Sequence, residues 1–182
     1  MADFPSKVTT ETSVPHSQGN SFQGMAASVT FRVDMSFIRS IPAILMMVES
    51  ILGLLHWTLI ASTLATVVPA YGWVLFVAIT LWILTTILFF VILFSVTQQL
   101  PTVPWPLTVM VYNGAATVLY ITAFLTNATH VAQYQLFSFY EHLAAAAFFG
   151  AVVTVAYGAS AFLSYLDWKG DGGNAATNTV PT

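Results

Sequence analysis

The sequence has no cysteine, little charge and no basic cluster, and each shortage removes a class of function. Without cysteine there is no disulfide, thiolate metal site, cysteine nucleophile or S-palmitoyl anchor, and Ala2 stands where an N-myristoyl glycine would be needed. Lys and Arg number 4 against 7 Asp and Glu, for a net charge of −3. Nothing here neutralises several phosphates in a row, so nucleic acid is not expected as a partner. His16, His56, His130 and His142 share no i, i+4 pair and no HExxH pattern, so no metal and no cofactor is expected. A GxSxG elbow, a phosphate loop and a Gly-Tyr-Gly ion filter are missing too, so no catalytic residue is assigned and the chain is not expected to be an enzyme.

What the chain has instead is apolar length: 57% of its residues are hydrophobic and only 6% are charged. Between Arg39 and Glu141 the only formally charged residue is Glu49. Four apolar runs, Ile41 to Ala61, Tyr71 to Val96, Trp105 to Leu125 and Leu143 to Leu163, each reach the ~20 residues that an α-helix needs to cross ~30 Å of hydrocarbon. The fold class that follows is an all-α membrane protein, a bundle of four transmembrane helices. Residues 1–38 lack the continuous apolar core of a cleaved signal, so the first run is expected to direct its own insertion.

Lys7, Arg32 and Arg39 precede the first run, Lys169 follows the last, and none of the connections contains Lys or Arg. The positive-inside rule then places both termini in the cytosol, as an even number of spans requires. Residues 1–38 and 167–182, polar and without helical period, are expected to be flexible tails around a four-span domain over 39–166. Tyr71, Trp73, Trp105, Tyr140, Tyr165 and Trp168 sit at the run ends, where aromatic rings anchor at headgroup depth. The second run is uncharged from Ala70 through Val96, longer than a ~30 Å core needs, which implies a preference for thick, sterol-rich bilayer.

Three groups of residues stand out as candidate sites. Ala146, Gly150, Thr154 and Gly158 repeat at intervals of four, the small-xxx-small spacing that lets helix backbones approach closely in lipid. Packing inside the bundle is the preferred reading of that face, and a homo-oligomer contact is the alternative. Glu49 lies mid-span, where exposing its charge to lipid would cost at least ~2.5 kcal/mol, so it is expected to face the interior or to be protonated. His56, two helical turns on, shares its face and is expected to form a polar track with Asn113 or Thr117 of the third run. An ion or proton path is one reading of these residues, and an interhelical hydrogen bond is the preferred one. Leu163, Tyr165 and Lys169 match a loose sterol-contact pattern, which interfacial anchoring explains equally well. Glu141 is expected to complement the dipole of the last helix, and the Asn127 sequon abuts a span end, where glycosylation is not expected.

Several segments together resemble the MARVEL family of tetraspan proteolipids, to which the myelin and lymphocyte protein is related. They are Met1-Ala-Asp-Phe-Pro-Ser-Lys7, Pro69-Ala-Tyr-Gly-Trp-Val74, Val103-Pro-Trp-Pro-Leu107, Ala116-Thr-Val-Leu-Tyr-Ile-Thr-Ala-Phe124, Ala156-Tyr-Gly-Ala-Ser-Ala-Phe162 and Asn174-Ala-Ala-Thr177. At position 49 the resemblance implies a neutral polar side chain, and this chain has a glutamate. It implies a membrane-organising and trafficking protein of myelin and of apical epithelial membranes and endosomes, associated with cholesterol- and sphingolipid-rich domains. Its expected partners are those lipids, further copies of itself, and cytosolic trafficking adaptors or endosomal membrane-fusion proteins held by the tails. An ion-conducting oligomer is the alternative function, and a transporter is disfavoured because the two halves show no matching repeats or broken spans.

Overall fold

The computed structural model describes residues 33–177, with side chains through residue 170. The segments 1–32 and 178–182 lie outside the described residues, and with them most of the expected N-terminal tail and the last residues of the C-terminal one, whereas residues 167–177, expected in that tail, continue the last helix. The described chain opens with a short helix, α1 (Met35–Ile38), capped by Asp34, whose carboxylate accepts from the Ser36 and Phe37 amides at 3.0 and 3.1 Å. Hydrogen bonds from the Ser36 hydroxyl and the Phe37 amide hold this exposed carboxyl below the usual Asp range. The Asp34 amide also donates to the Leu93 carbonyl at 2.9 Å, and the Phe37 and Phe89 rings lie 5.8 Å apart. Residues 34–38, which the expected boundary at 39 left with the tail, are therefore docked on the bundle.

Four helices follow that are long and apolar enough to cross a membrane. The first, α2 (Ile41–Ala61), starts where the Ser40 hydroxyl accepts from the Ala43 amide and Pro42 occupies the first turn, the place where a missing N–H is harmless. A 3-10 turn at Leu64–Val67 leads to α3 (Pro69–Leu93), whose first residue is proline. The run was expected to extend to Val96, but Ser95 adopts a left-handed conformation, with φ of 54°, and ends the helix. A single turn, α4 (Val96–Gln99), connects to α5 (Trp105–Val131), and α6 (Tyr140–Thr177) closes the bundle.

Both α5 and α6 outrun their expected ends at Leu125 and Leu163. In α5 the Thr126 and Thr129 hydroxyls fold back onto the carbonyls of Thr122 and Leu125, at 2.7 and 2.8 Å. His130 Nδ1 lies 2.8 Å from the Thr126 carbonyl oxygen in the same way. Polar side chains that satisfy themselves on their own helix do not end it. In α6 no proline follows Leu163 before residue 181, and Tyr165, Leu166 and Trp168 carry the apolar character past the expected boundary.

The helix α6 packs most extensively against α5 and α2, and α3 rests on α2 and α5. The core is built from Ile60, Tyr71, Val77, Tyr120, Leu143 and Tyr157 among others, and three tyrosines are its largest fully buried side chains. Outward-facing side chains such as Ile51, Phe76, Val118, Phe148, Val155 and Phe162 are exposed and apolar. In water such a surface would drive aggregation, and in hydrocarbon it needs no cover.

Candidate functional site: polar groups inside the bundle

Because a hydrophobic surface is neutral in lipid, specificity inside such a bundle falls on the polar groups it encloses. Glu49 and His56, a heptad apart on α2, both point inward and are essentially inaccessible. Glu49 Oε1 accepts a hydrogen bond of 2.5 Å from Ser160 Oγ on α6, and its Oε2 has no partner. Two turns away, His56 Nδ1 lies 3.4 Å from the Tyr120 hydroxyl of α5, with the two rings 5.6 Å apart. Its Nε2 has no protein partner.

Asn113 of α5 does not join either group directly. Its Nδ2 donates to Ser164 Oγ at 2.9 Å, and Ser164 Oγ donates to the Ser160 carbonyl at 2.7 Å. Of the expected track, only Asn113 and Glu49 are linked, through two serines of α6, and His56 stands apart on Tyr120. Thr117 turns back to its own helix, donating to the Asn113 carbonyl at 2.7 Å. A second buried cluster escaped the sequence reading. Thr85 Oγ1 lies 2.6 Å from the Tyr112 hydroxyl and 2.5 Å from that of Tyr157, and the Tyr157 ring lies tilted against Tyr120 with centroids 5.3 Å apart. Ser160, Ser164 and Tyr157 share one face of α6 at spacings of three and four, and that phase is the signal that would have marked them.

The small residues of α6 divide between two neighbours. A Cβ placed on Gly150 would stand 3.2 Å from His56 Cε1 and Nε2, so α2 and α6 meet where the imidazole occupies the missing side chain's space. Gly158 looks the other way, with Thr117 Cγ2 of α5 at 3.9 Å from such a Cβ. Ala146 is buried, and Thr154 Oγ1 donates to the Gly150 carbonyl at 2.7 Å. Residues four apart drift by ~40° per step around a helix, which is why one stripe serves two partners.

The sterol-contact residues do not form one surface. Leu163 turns toward the bundle, where it lines a pocket, whereas Tyr165 and Lys169 point outward and Tyr165 sits 6.2 Å from the Trp168 ring. Positions two apart on a helix differ by ~200°, so the pattern cannot present all three to one ligand. Asn127 lies within α5 and is fully buried, a placement closed to a glycosylating enzyme. Among the described residues no group of three or more His, Cys, Asp or Glu is placed to hold a metal.

Comparison with known proteins agrees with this architecture. The family model "MARVEL: Membrane-associating domain" matches residues 37–163. Plasmolipin of Danio rerio is 51% identical over 182 residues, covering 100% of this chain and 99% of its own. Plasmolipin of Homo sapiens is 49% identical, covering 99% and 97%. The human CKLF-like MARVEL transmembrane domain-containing protein 8 is 36% identical over 143 residues, 79% of this chain and 83% of its own. No solved structure matches.

Proposed function

Because the chain belongs to the MARVEL family of membrane-associating proteins and is a multi-pass membrane protein, we propose that it organises membrane. In this reading it gathers cholesterol- and sphingolipid-rich bilayer for myelin biogenesis and for apical and endosomal trafficking. Both termini face the cytosol, where the tails bind trafficking adaptors or membrane-fusion proteins. The observation that carries the reading is the length of α3. Its 25 residues span ~38 Å at ~1.5 Å per residue, against ~30 Å for an average hydrocarbon core and ~32–33 Å for sterol-rich plasma membrane. A helix without a single charge along that length is accommodated at least cost where the bilayer is thickest.

The enclosed polar groups support a structural role over a conducting one. Ser160 satisfies one oxygen of Glu49, and beyond it the interior of the described bundle is packed with Tyr120, Tyr157 and the Thr85 cluster. Partition of the tagged chain between ordered and disordered phases of giant plasma-membrane vesicles tests the proposal. Enrichment in the ordered phase, reduced when Ile87→Thr and Phe90→Ser shorten the lipid-facing length of α3, is the expected result. Potassium flux from proteoliposomes that rises above protein-free vesicles and changes in Glu49→Gln would overturn it in favour of an ion-conducting oligomer.

A further inference from the structure

At the end of the bundle where α2 and α5 begin and α3 and α6 finish their crossing, the helices line a half-open pocket of about 260 Å³. Its walls are apolar, from Pro42, Met46, Ile92, Val109 and Leu163, and its rim carries Trp105, Thr97 and Asp167. Its polar groups are Asn113, Ser160 and Ser164, and the direction of their hydrogen bonds decides what they can still accept. Asn113 Nδ2 donates to Ser164, Ser164 donates to the Ser160 carbonyl, and Ser160 donates to Glu49. Every side-chain hydroxyl donor in that chain is committed. Among the polar groups that line the pocket, Asn113 Oδ1 is left unpartnered, an acceptor on a residue only 2% exposed with no donor in reach. A buried carbonyl oxygen without a partner is costly, and a ligand that reaches it must bring an O–H or N–H.

Charge and size narrow the class. Asp167 is at the rim and no Lys or Arg lines the pocket, so an anionic headgroup meets a carboxylate and no counter-charge. The volume exceeds the ~150 Å³ that holds a benzene ring but falls short of the ~300 Å³ at which sites for whole drug-sized ligands begin. Ser164 is one helical turn inside Asp167, so its partner Asn113 lies just below the interface marked by Tyr165 and Trp168, the depth of a lipid's hydroxyl or glycerol group. We propose that this pocket binds the hydroxyl end of an uncharged single-chain amphiphile, of the fatty-alcohol or monoacylglycerol kind, which donates to Asn113 Oδ1 and packs its first methylenes on Met46, Val109 and Leu163. This site goes beyond the membrane-organising role and holds whether or not that role does.

The test uses the full chain in phosphatidylcholine nanodiscs, a photoactivatable fatty alcohol as probe, and mapping of the labelled peptides. Labelling concentrates on Met46, Val109 or Leu163, is competed by monoacylglycerol, and resists the corresponding fatty acid. Asn113→Leu weakens it about fivefold, the loss of one hydrogen bond. Val109→Trp abolishes it by filling the space while leaving the Asn113–Ser164–Ser160 chain untouched, so a misfolded Asn113→Leu protein, recognised by its lowered melting temperature, does not decide the matter. Label spread evenly over lipid-facing residues such as Phe148 and Val155 would overturn the proposal, as would full labelling in Val109→Trp or equal competition by the fatty acid. Competition by cholesterol in place of monoacylglycerol would overturn the single-chain assignment.

Discussion

Replacing Gly150 gives the most direct measure of how this bundle is held together. In a helix interior Gly→Ala ordinarily gains ~1 kcal/mol from backbone entropy. Here the new methyl would stand 3.2 Å from two atoms of His56, a ring that is fully buried and confined on its other side by Tyr120. Overpacking of a closed core costs ~1–3 kcal/mol, so Gly150→Ala is expected to be net destabilising by up to ~2 kcal/mol, and Gly150→Leu by more, with α2 forced off α6. The measurement is detergent-induced unfolding in mixed micelles, followed by circular dichroism. It is repeated in His56→Ala, where the double-mutant cycle should return a coupling of at least ~0.5 kcal/mol between positions 56 and 150. A Gly150→Ala protein ~1 kcal/mol more stable than the parent with His56 intact would refute the reasoning. Unchanged unfolding together with a loss of crosslinked oligomers in Gly150→Leu would place the glycine between copies instead.

The buried hydrogen bonds give further expectations. Ser160→Ala leaves Glu49 without a protein partner on either oxygen and should destabilise by ~1–3 kcal/mol, whereas Glu49→Gln keeps an acceptor for Ser160 and should cost less than half as much, both read by the same unfolding titration. Thr85→Val removes the contact that joins Tyr112 and Tyr157 and is expected to cost ~0.6–1.7 kcal/mol, the range for interhelical hydrogen bonds in membranes, with a matching cost for Tyr157→Phe and little additivity between the two. The chain expressed in cells that glycosylate should show no mobility shift on endoglycosidase treatment, because Asn127 is inside a helix and inside the core. Asp34→Ala should lower the protection of the Ser36 and Phe37 amides, taken as exchange relative to their intrinsic rates, and acidification should do the same: the carboxyl's pKa is depressed in the fold, so its contribution is present above the ordinary Asp range and is lost as pH falls through the depressed value.

The spans were legible because lipid leaves a crossing backbone few solutions, and a long uncharged run in this sequence reads as a helix whatever its neighbours do. Helix ends were harder. Pro69 was left outside α3 although proline suits the first turn, and Thr126, Thr129 and His130 looked like connection residues until their side chains were seen bonded to their own helix. The inward direction of Glu49 followed from the cost of the alternative, but its partner did not. Which serine of α6 faces α2 depends on the rotation of one helix about its axis, and a single sequence carries that only as a weak phase. The spacing at Gly150 announced a close approach without saying that an imidazole would fill it. Leu163, Tyr165 and Lys169 show the converse, a pattern read along the chain whose members helix geometry points in different directions.

The hydrogen bond between the Asp34 amide and the Leu93 carbonyl has a mechanical reading. It clasps the start of the described chain to the far end of α3, reinforced by Phe37 against Phe89, before α2 begins. Tension applied to the segment ahead of residue 34 is therefore borne first by the last turn of α3 and by the ring pair, in shear, and reaches α2 only after that clasp gives way. The join behaves as a strain relief, as on a cable, sparing the helix that carries Glu49 and His56 from whatever pulls on the chain before it.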